Sequence, residues 1–97
     1  MPAPPDDTRT VRVLIEGRVQ GVGFRYFTQE AALREGVTGW VRNRPDGQVE
    51  ALVEGDAEAV TRIERALRSG PRGARVDRID IDVEDPTGAY RTFSVTA

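Results

Sequence analysis

Three glycines fall within seven residues, at Gly17, Gly21 and Gly23, between two stretches of opposite periodicity. Before them, Arg9–Glu16 alternates, with Val11, Val13 and Ile15 on one face and Arg12, Leu14 and Glu16 on the other. That is the pattern of a half-buried strand. After them, Phe24, Phe27, Thr28, Ala31 and Ala32 recur at helical spacing, and Gly36 closes the run, so a helix is expected over Phe24–Glu35. Glu35 falls at the end of the stripe, and the last turn is expected to face water. The glycines confine this part of the chain to a strand, a tight loop and the start of a helix. Such a junction gathers backbone N–H groups at the positive end of a helix dipole and so forms an anion pocket. Helix starts usually carry Asp or Glu. Here no acidic residue lies between Gly17 and Gln29, whereas Arg18 and Arg25 do. A bound phosphate-like group would supply the missing negative charge.

Further along, Val37–Asn43 reads as a second strand and Gln48–Glu54 as a third, with Val49, Ala51 and Val53 alternating. The turn residues Arg44–Pro45–Asp46–Gly47 join them into a hairpin. Asp56 is a helix N-cap for a segment running to Ser69, with Val60, Ile63 and Leu67 at helical spacing, and Gly70–Pro71 ends it. Val76–Val83 is a fourth strand, with Ile79, Ile81 and Val83 inward and a face rich in Asp. Tyr90–Thr96 is a last strand. Residues 1–8, rich in Pro and Asp, form a flexible tail, and residues 9–97 a single domain. The order β-α-β-β-α-β plus a short final strand predicts an α+β fold, the ferredoxin-like split βαβ sandwich. It has an antiparallel sheet with both helices on one face. The third strand then lies between the first two, which run the same way and end on one sheet edge roughly 10 Å apart. That topology brings Asn43 to the glycine loop.

Composition narrows the chemistry. The chain has no His, no Cys and no Lys; all 14 of its basic residues are Arg. A histidine or cysteine nucleophile, a lysine Schiff base and a zinc site of the usual ligand type are thereby removed. Ser69 and Ser94 have no His or Lys to activate them. Water is the expected nucleophile, and positioning and electrostatics are the expected means. A net charge of −2 argues against nucleic acid as the partner. No run is long and apolar enough to span a membrane, and the N-terminus lacks a signal-peptide pattern. We therefore expect a cytoplasmic protein and, with little apolar surface to spare, a monomer.

Two residues stand out. Arg25 is either a solvated helix arginine or a phosphate ligand at the first turn. Asn43 is either an Asx-type residue capping the hairpin or an amide that orients a water, which it could do without a particular protonation state. Gly21 and Gly23 serve a tight turn and close backbone approach alike. Gln20 and Arg18 point to ligand or to solvent. Trp40 reads as a packing residue. Asp77, Asp80 and Asp82 lie along a strand without metal-loop spacing and read as a solvated face, as do Arg62, Arg65 and Arg68 on the second helix.

Gly17-Arg-Val-Gln-Gly-Val-Gly-Phe-Arg25, Gly39-Trp-Val-Arg-Asn43 and Asp46-Gly-Gln-Val-Glu50 together closely resemble the acylphosphatase family, from about Thr10 to Val95. The resemblance implies metal-independent hydrolysis of the carboxyl–phosphate bond of a small acyl phosphate, with no cofactor. It implies that Arg25 binds the phosphoryl group and Asn43 positions the water. The amides of Val19, Gln20, Gly21, Val22, Gly23 and Phe24 would bind substrate. Glu35 departs from a common apolar residue, which would soften the end of the first helix. The ending Phe93-Ser-Val-Thr-Ala97 departs from a common basic residue and Tyr. A catalytically weak module that binds phosphate or carbamoyl phosphate is the alternative. In hydrogenase maturation such a module precedes large further regions, whereas this sequence has 97 residues.

Overall fold

Alternation decides which way each strand faces. Val11, Val13 and Ile15 are fully buried on one face of β1 (Thr8–Arg18), and Val49, Ala51 and Val53 on the same face of β3 (Val49–Asp56). Val41 of β2 (Thr38–Asn43) and Phe93 of β5 (Phe93–Thr96) complete that layer. Two helices cover it. From α1 (Phe24–Glu35) come Phe24, Thr28, Ala31 and Ala32; from α2 (Ala57–Ser69) come Ala59, Val60, Ile63 and Leu67. Small residues dominate the inner face of α1, and Thr28 satisfies its buried hydroxyl by donating to the Phe24 carbonyl at 2.8 Å. The computed structural model describes residues 7–97, with β4 spanning Arg75–Glu84.

Both helix ends follow their residues. Asp56 caps α2 by accepting from the N–H groups of Glu58 and Ala59, a contribution of about 1 kcal/mol. Gly36 caps α1 in the left-handed conformation at φ 71°. Leu33 and Arg34 of the last turn face water as expected, whereas Glu35 is partly buried and pairs with Arg62 of α2 at 2.7 Å.

The sheet order is β4-β1-β3-β2-β5. The first four strands pair antiparallel, and β3 separates β1 from β2 as the split βαβ topology requires. Two expectations are corrected. The sheet is mixed, because β5 lies parallel to β2, Gly39 opposite Phe93 and Arg42 opposite Thr96. The last strand also begins at Phe93 rather than Tyr90, since the chain must first cross from the β4 edge to the β2 edge and has no strand partner on the way. Two smaller differences concern strand ends. Thr8, assigned to the tail by composition, pairs with Asp56 because β3 runs on to offer it a partner, and the Asp7 carbonyl accepts from the Ala57 N–H at 2.9 Å; residues 1–6 of that tail lie outside the described residues. Val83 is 66% exposed, since the apolar cover on the edge strand reaches Ile79 and Ile81 and stops short of it.

The sheet's other face carries a charged layer. Glu50, nearly buried, takes Arg42 at 2.7 Å and Arg12 at 2.9 Å, while Arg12 also holds Glu84 at 2.7 Å and stacks over Trp40 at 5.6 Å. Trp40 sits opposite Leu52 in the register, under the Arg12 guanidinium. Glu54, 5% exposed, accepts from the Thr10 hydroxyl at 2.7 Å and from the N–H groups of Thr87 and Gly88, both at 2.9 Å. It pins the crossing segment that leads into β5.

Burial pushes both carboxyls up. Hydrogen bonds from Arg42 and Arg12 at Glu50, and from Thr10, Thr87 and Gly88 at Glu54, more than reverse this, so both lie below the ordinary value of 4.5. A depressed carboxyl stabilises the fold above its unfolded pKa, and that stability is lost as pH falls through the folded value. Urea midpoints are therefore expected to drop as pH falls below 4.5. Glu54→Gln sets an amide NH₂ against a backbone N–H and is expected to cost about 1–3 kcal/mol and to reduce that pH dependence. A midpoint and pH profile equal to the parent's would contradict this reading of Glu54.

Candidate active site

At the end of β1 the pairing with β4 slips between Glu16 and Gly17. Such an irregularity bends a strand, and here the chain turns into the loop Val19–Gly23. Val19 anchors the loop in the core at 1% exposure, and Val22 packs against that core from outside. Gly21 and Gly23 take left-handed φ values of 76° and 77°. A methyl group would meet nothing within 4 Å at either position, so backbone conformation rather than crowding selects glycine.

Gly23 is the N-cap of α1, with no side-chain cap bond and no acidic residue in the first turn. The first helical bond is from the Phe27 N–H to the Gly23 carbonyl at 2.9 Å. Among the described residues, the N–H groups from Val19 to Tyr26 meet no protein acceptor. They are orphan donors at the positive end of a helix dipole, which suits them to an anion.

Arg25 stands in that first turn, half-buried. Its Nη1 donates to the Thr96 carbonyl at 3.1 Å, and Gln29, one turn on, donates to the Phe93 carbonyl at 3.2 Å. The parallel strand β5 thus orients the guanidinium through its backbone. Among the described residues, Arg9, Arg12, Arg42 and Arg44 are half-buried arginines that each hold a carboxylate within 4 Å. Arg25 is half-buried and holds none, and the other arginines without an ion pair, Arg18, Arg65, Arg68, Arg72 and Arg91, are exposed.

Asn43 reaches the same place by register. It lies opposite Val49, which also lies opposite Ile15, so the ends of β2 and β1 flank β3 at one level. Asn43 shares the parity of Val41, the residue that enters the helix-side core. A cleft of about 120 Å³ is lined by Val19, Gly21, Gly23, Phe24, Arg25, Tyr26 and Asn43. It contains a cation, an amide and a phenol and no carboxylate.

Of the residues singled out from sequence, Val19, Gly21, Gly23, Phe24, Arg25 and Asn43 come together there. Gln20 and Val22 do not line it: Val22 packs inward, and the Gln20 side chain turns to the β2–β3 hairpin. Tyr26, 65% exposed, was missed, although its place beside Arg25 in the first turn is a usable signal. Arg18 is exposed and outside the cleft. Asp77 and Asp80 pair with Arg75 and Arg78, an ordinary charged edge, and no group of three or more acidic residues converges as a metal site among the described residues. No described helix is long and apolar enough to cross a membrane.

Fold and cleft together define a ferredoxin-like α/β sandwich with an anion-receptive sheet edge. A sequence model of the family described as Acylphosphatase matches residues 11–95. The acylphosphatase of Rubrobacter xylanophilus is 51% identical over 88 residues, 91% of this chain and 80% of that protein. The crystal structure of acylphosphatase from Bacillus subtilis superposes with a TM-score of 0.89 at 37% identity, covering 92% of this chain and 99% of that one. Full-length HypF, solved in a phosphate- and nucleotide-bound form, gives a TM-score of 0.85 at 26% identity over 93% of this chain and 12% of HypF. The chain belongs to the acylphosphatase family of hydrolases.

Proposed function

We propose that this protein hydrolyses acyl phosphates to carboxylate and inorganic phosphate, with water as nucleophile and without a metal. The observation that carries the proposal is Arg25: a half-buried cation with no carboxylate partner among the described residues, in the first turn of α1, in one cleft with Asn43. The phosphoryl oxygens rest on the loop amides from Val19 to Phe24, and Arg25 adds a charge-assisted fork. Asn43 accepts from and donates to a water held in line with the leaving carboxylate. The water oxygen bonds to phosphorus as the bond to the acyl oxygen breaks, and that electron pair leaves on the carboxylate. No cleft residue is a strong base, so the water's proton passes to a phosphoryl oxygen. The acyl carboxylate is a good leaving group and needs no protonation.

The donors around the cleft support metal independence, since it is lined by no carboxylate and the sequence has no His or Cys. Hydrolysis of benzoyl phosphate by the purified protein is expected to proceed unchanged with a chelator in excess. Activity that vanishes with chelator and returns with a divalent cation would overturn the metal-free reading. A second reading is a phosphate- or carbamoyl-phosphate-binding module with little turnover; the likeness to HypF, solved in a phosphate- and nucleotide-bound form, lends it support as a phosphate binder. The same assay separates the two: saturable phosphate binding without hydrolysis would favour the module. We further propose a monomer acting in the cytoplasm on a small-molecule substrate, with residues 9–97 as one domain.

A further inference from the structure

We propose that Gln20 is a positioning residue that locks the strand end bearing Asn43 to the phosphate loop. The inference rests on the roles proposed above for Asn43 and the loop. Gln20 belongs to the loop by sequence, yet its side chain leaves the cleft. Its Nε2 donates to the Arg44 carbonyl at 2.8 Å and to the Gln48 carbonyl at 3.0 Å. These two carbonyls are the ones that close the β2–β3 turn: Arg44 accepts from the Gly47 N–H at 3.1 Å, and Gln48 accepts from the Arg44 N–H at 2.8 Å. One uncharged amide nitrogen therefore clamps both sides of the turn that begins directly after Asn43.

The residue type fits this task closely. Two donors on one neutral nitrogen satisfy two converging carbonyls, whereas a carboxylate of the same shape would repel both. The other side-chain link between the end of β1 and this turn, from Gln48 to Glu16 at 3.3 Å, is exposed and longer. Loop and hairpin are separate in sequence, and in-line attack requires the water held by one to face the phosphoryl group held by the other. Gln20 sets that mutual position. Its side chain touches neither substrate nor water.

The test is a double-mutant cycle on benzoyl phosphate hydrolysis with Gln20→Met, Asn43→Ala and the double variant, with inorganic phosphate as competitive inhibitor. Both carbonyls keep their backbone donors in Gln20→Met, so the fold is expected to survive. A misplacement of about 1 Å can cost about 10²-fold, and we expect Gln20→Met to lower kcat by at least about tenfold. The inhibition constant for phosphate should stay within about threefold of the parent value, because Arg25 and the loop amides are untouched. In the Asn43→Ala background the same substitution should cause no further fall. A parental kcat in Gln20→Met, an equal factor in both backgrounds, or parallel loss of phosphate affinity would overturn the inference. Should Gln20→Met fail to fold, Gln20→Asn, which keeps the amide one methylene short, is read by the same criteria. Asn43→Ala with near-parental kcat would instead overturn the proposed role of Asn43, and this inference with it.

Discussion

Arg25→Lys is expected to lower kcat/KM for benzoyl phosphate nearly as far as Arg25→Ala, by about 10²–10³ in each case, the scale of losing one preorganised donor to a developing anion. Charge alone would argue otherwise, since lysine keeps it. The geometry decides. A guanidinium presents donors in a plane, so Arg25 can give Nη1 to the Thr96 carbonyl at 3.1 Å and still aim other N–H groups into the cleft. An ammonium on a flexible stem is a point charge without that fixed fork. Freed from β5, it would also lose the contact that orients it. Inhibition by inorganic phosphate should weaken in both variants, because the proposed fork of Arg25 would hold the phosphoryl group before and during reaction. If Arg25→Lys retains activity within tenfold of the parent while Arg25→Ala does not, positive charge rather than the fork is what the site requires.

Asn43→Ala is expected to separate the two halves of the site. Turnover should fall by about 10²–10³, since a positioned water is lost while the rest of the cleft stays. Affinity for phosphate should change little, because the proposed phosphate ligands, the amides from Val19 to Phe24 and Arg25, are unaltered by the substitution. Stability should also change little, as Asn43 ends a strand and is only half-buried. Asn43→Asp makes the same point by charge. A carboxylate there accepts a hydrogen bond from water but repels the phosphoryl group, so turnover and phosphate affinity should both fall. A near-parental kcat in Asn43→Ala would return Asn43 to the role of a hairpin cap.

Much of this arrangement is legible in the sequence. The Phe24–Thr28–Ala31–Ala32 stripe and Gly36 define α1 because apolar spacing and a left-handed cap are local properties. The nearness of Asn43 to the loop followed from topology, since a split βαβ sheet admits few strand orders. Other features depend on partners far away in sequence. The parallel pairing of β5 has no local signature; it is set by the crossing that Glu54 pins. Glu54 itself looks like an ordinary outward residue of an alternating strand, and its burial comes from a segment more than thirty residues on. The hold of β5 on Arg25 is equally invisible, being a backbone carbonyl. Gln20 sits in a loop where either ligand or solvent is plausible, and the turn it clamps is defined only once the hairpin has folded beside it.

The central claim is that one cleft holds a phosphoryl group on α1 and the loop while the end of β2 delivers water to phosphorus. The direct measurement is hydrolysis of benzoyl phosphate by the parent protein in water enriched in the heavy oxygen isotope, with both products analysed by mass spectrometry after a single turnover. The account predicts the label in inorganic phosphate and none in benzoate, because the bond broken lies between phosphorus and the acyl oxygen. Label appearing in benzoate would mean attack at the carbonyl carbon, and would contradict the account.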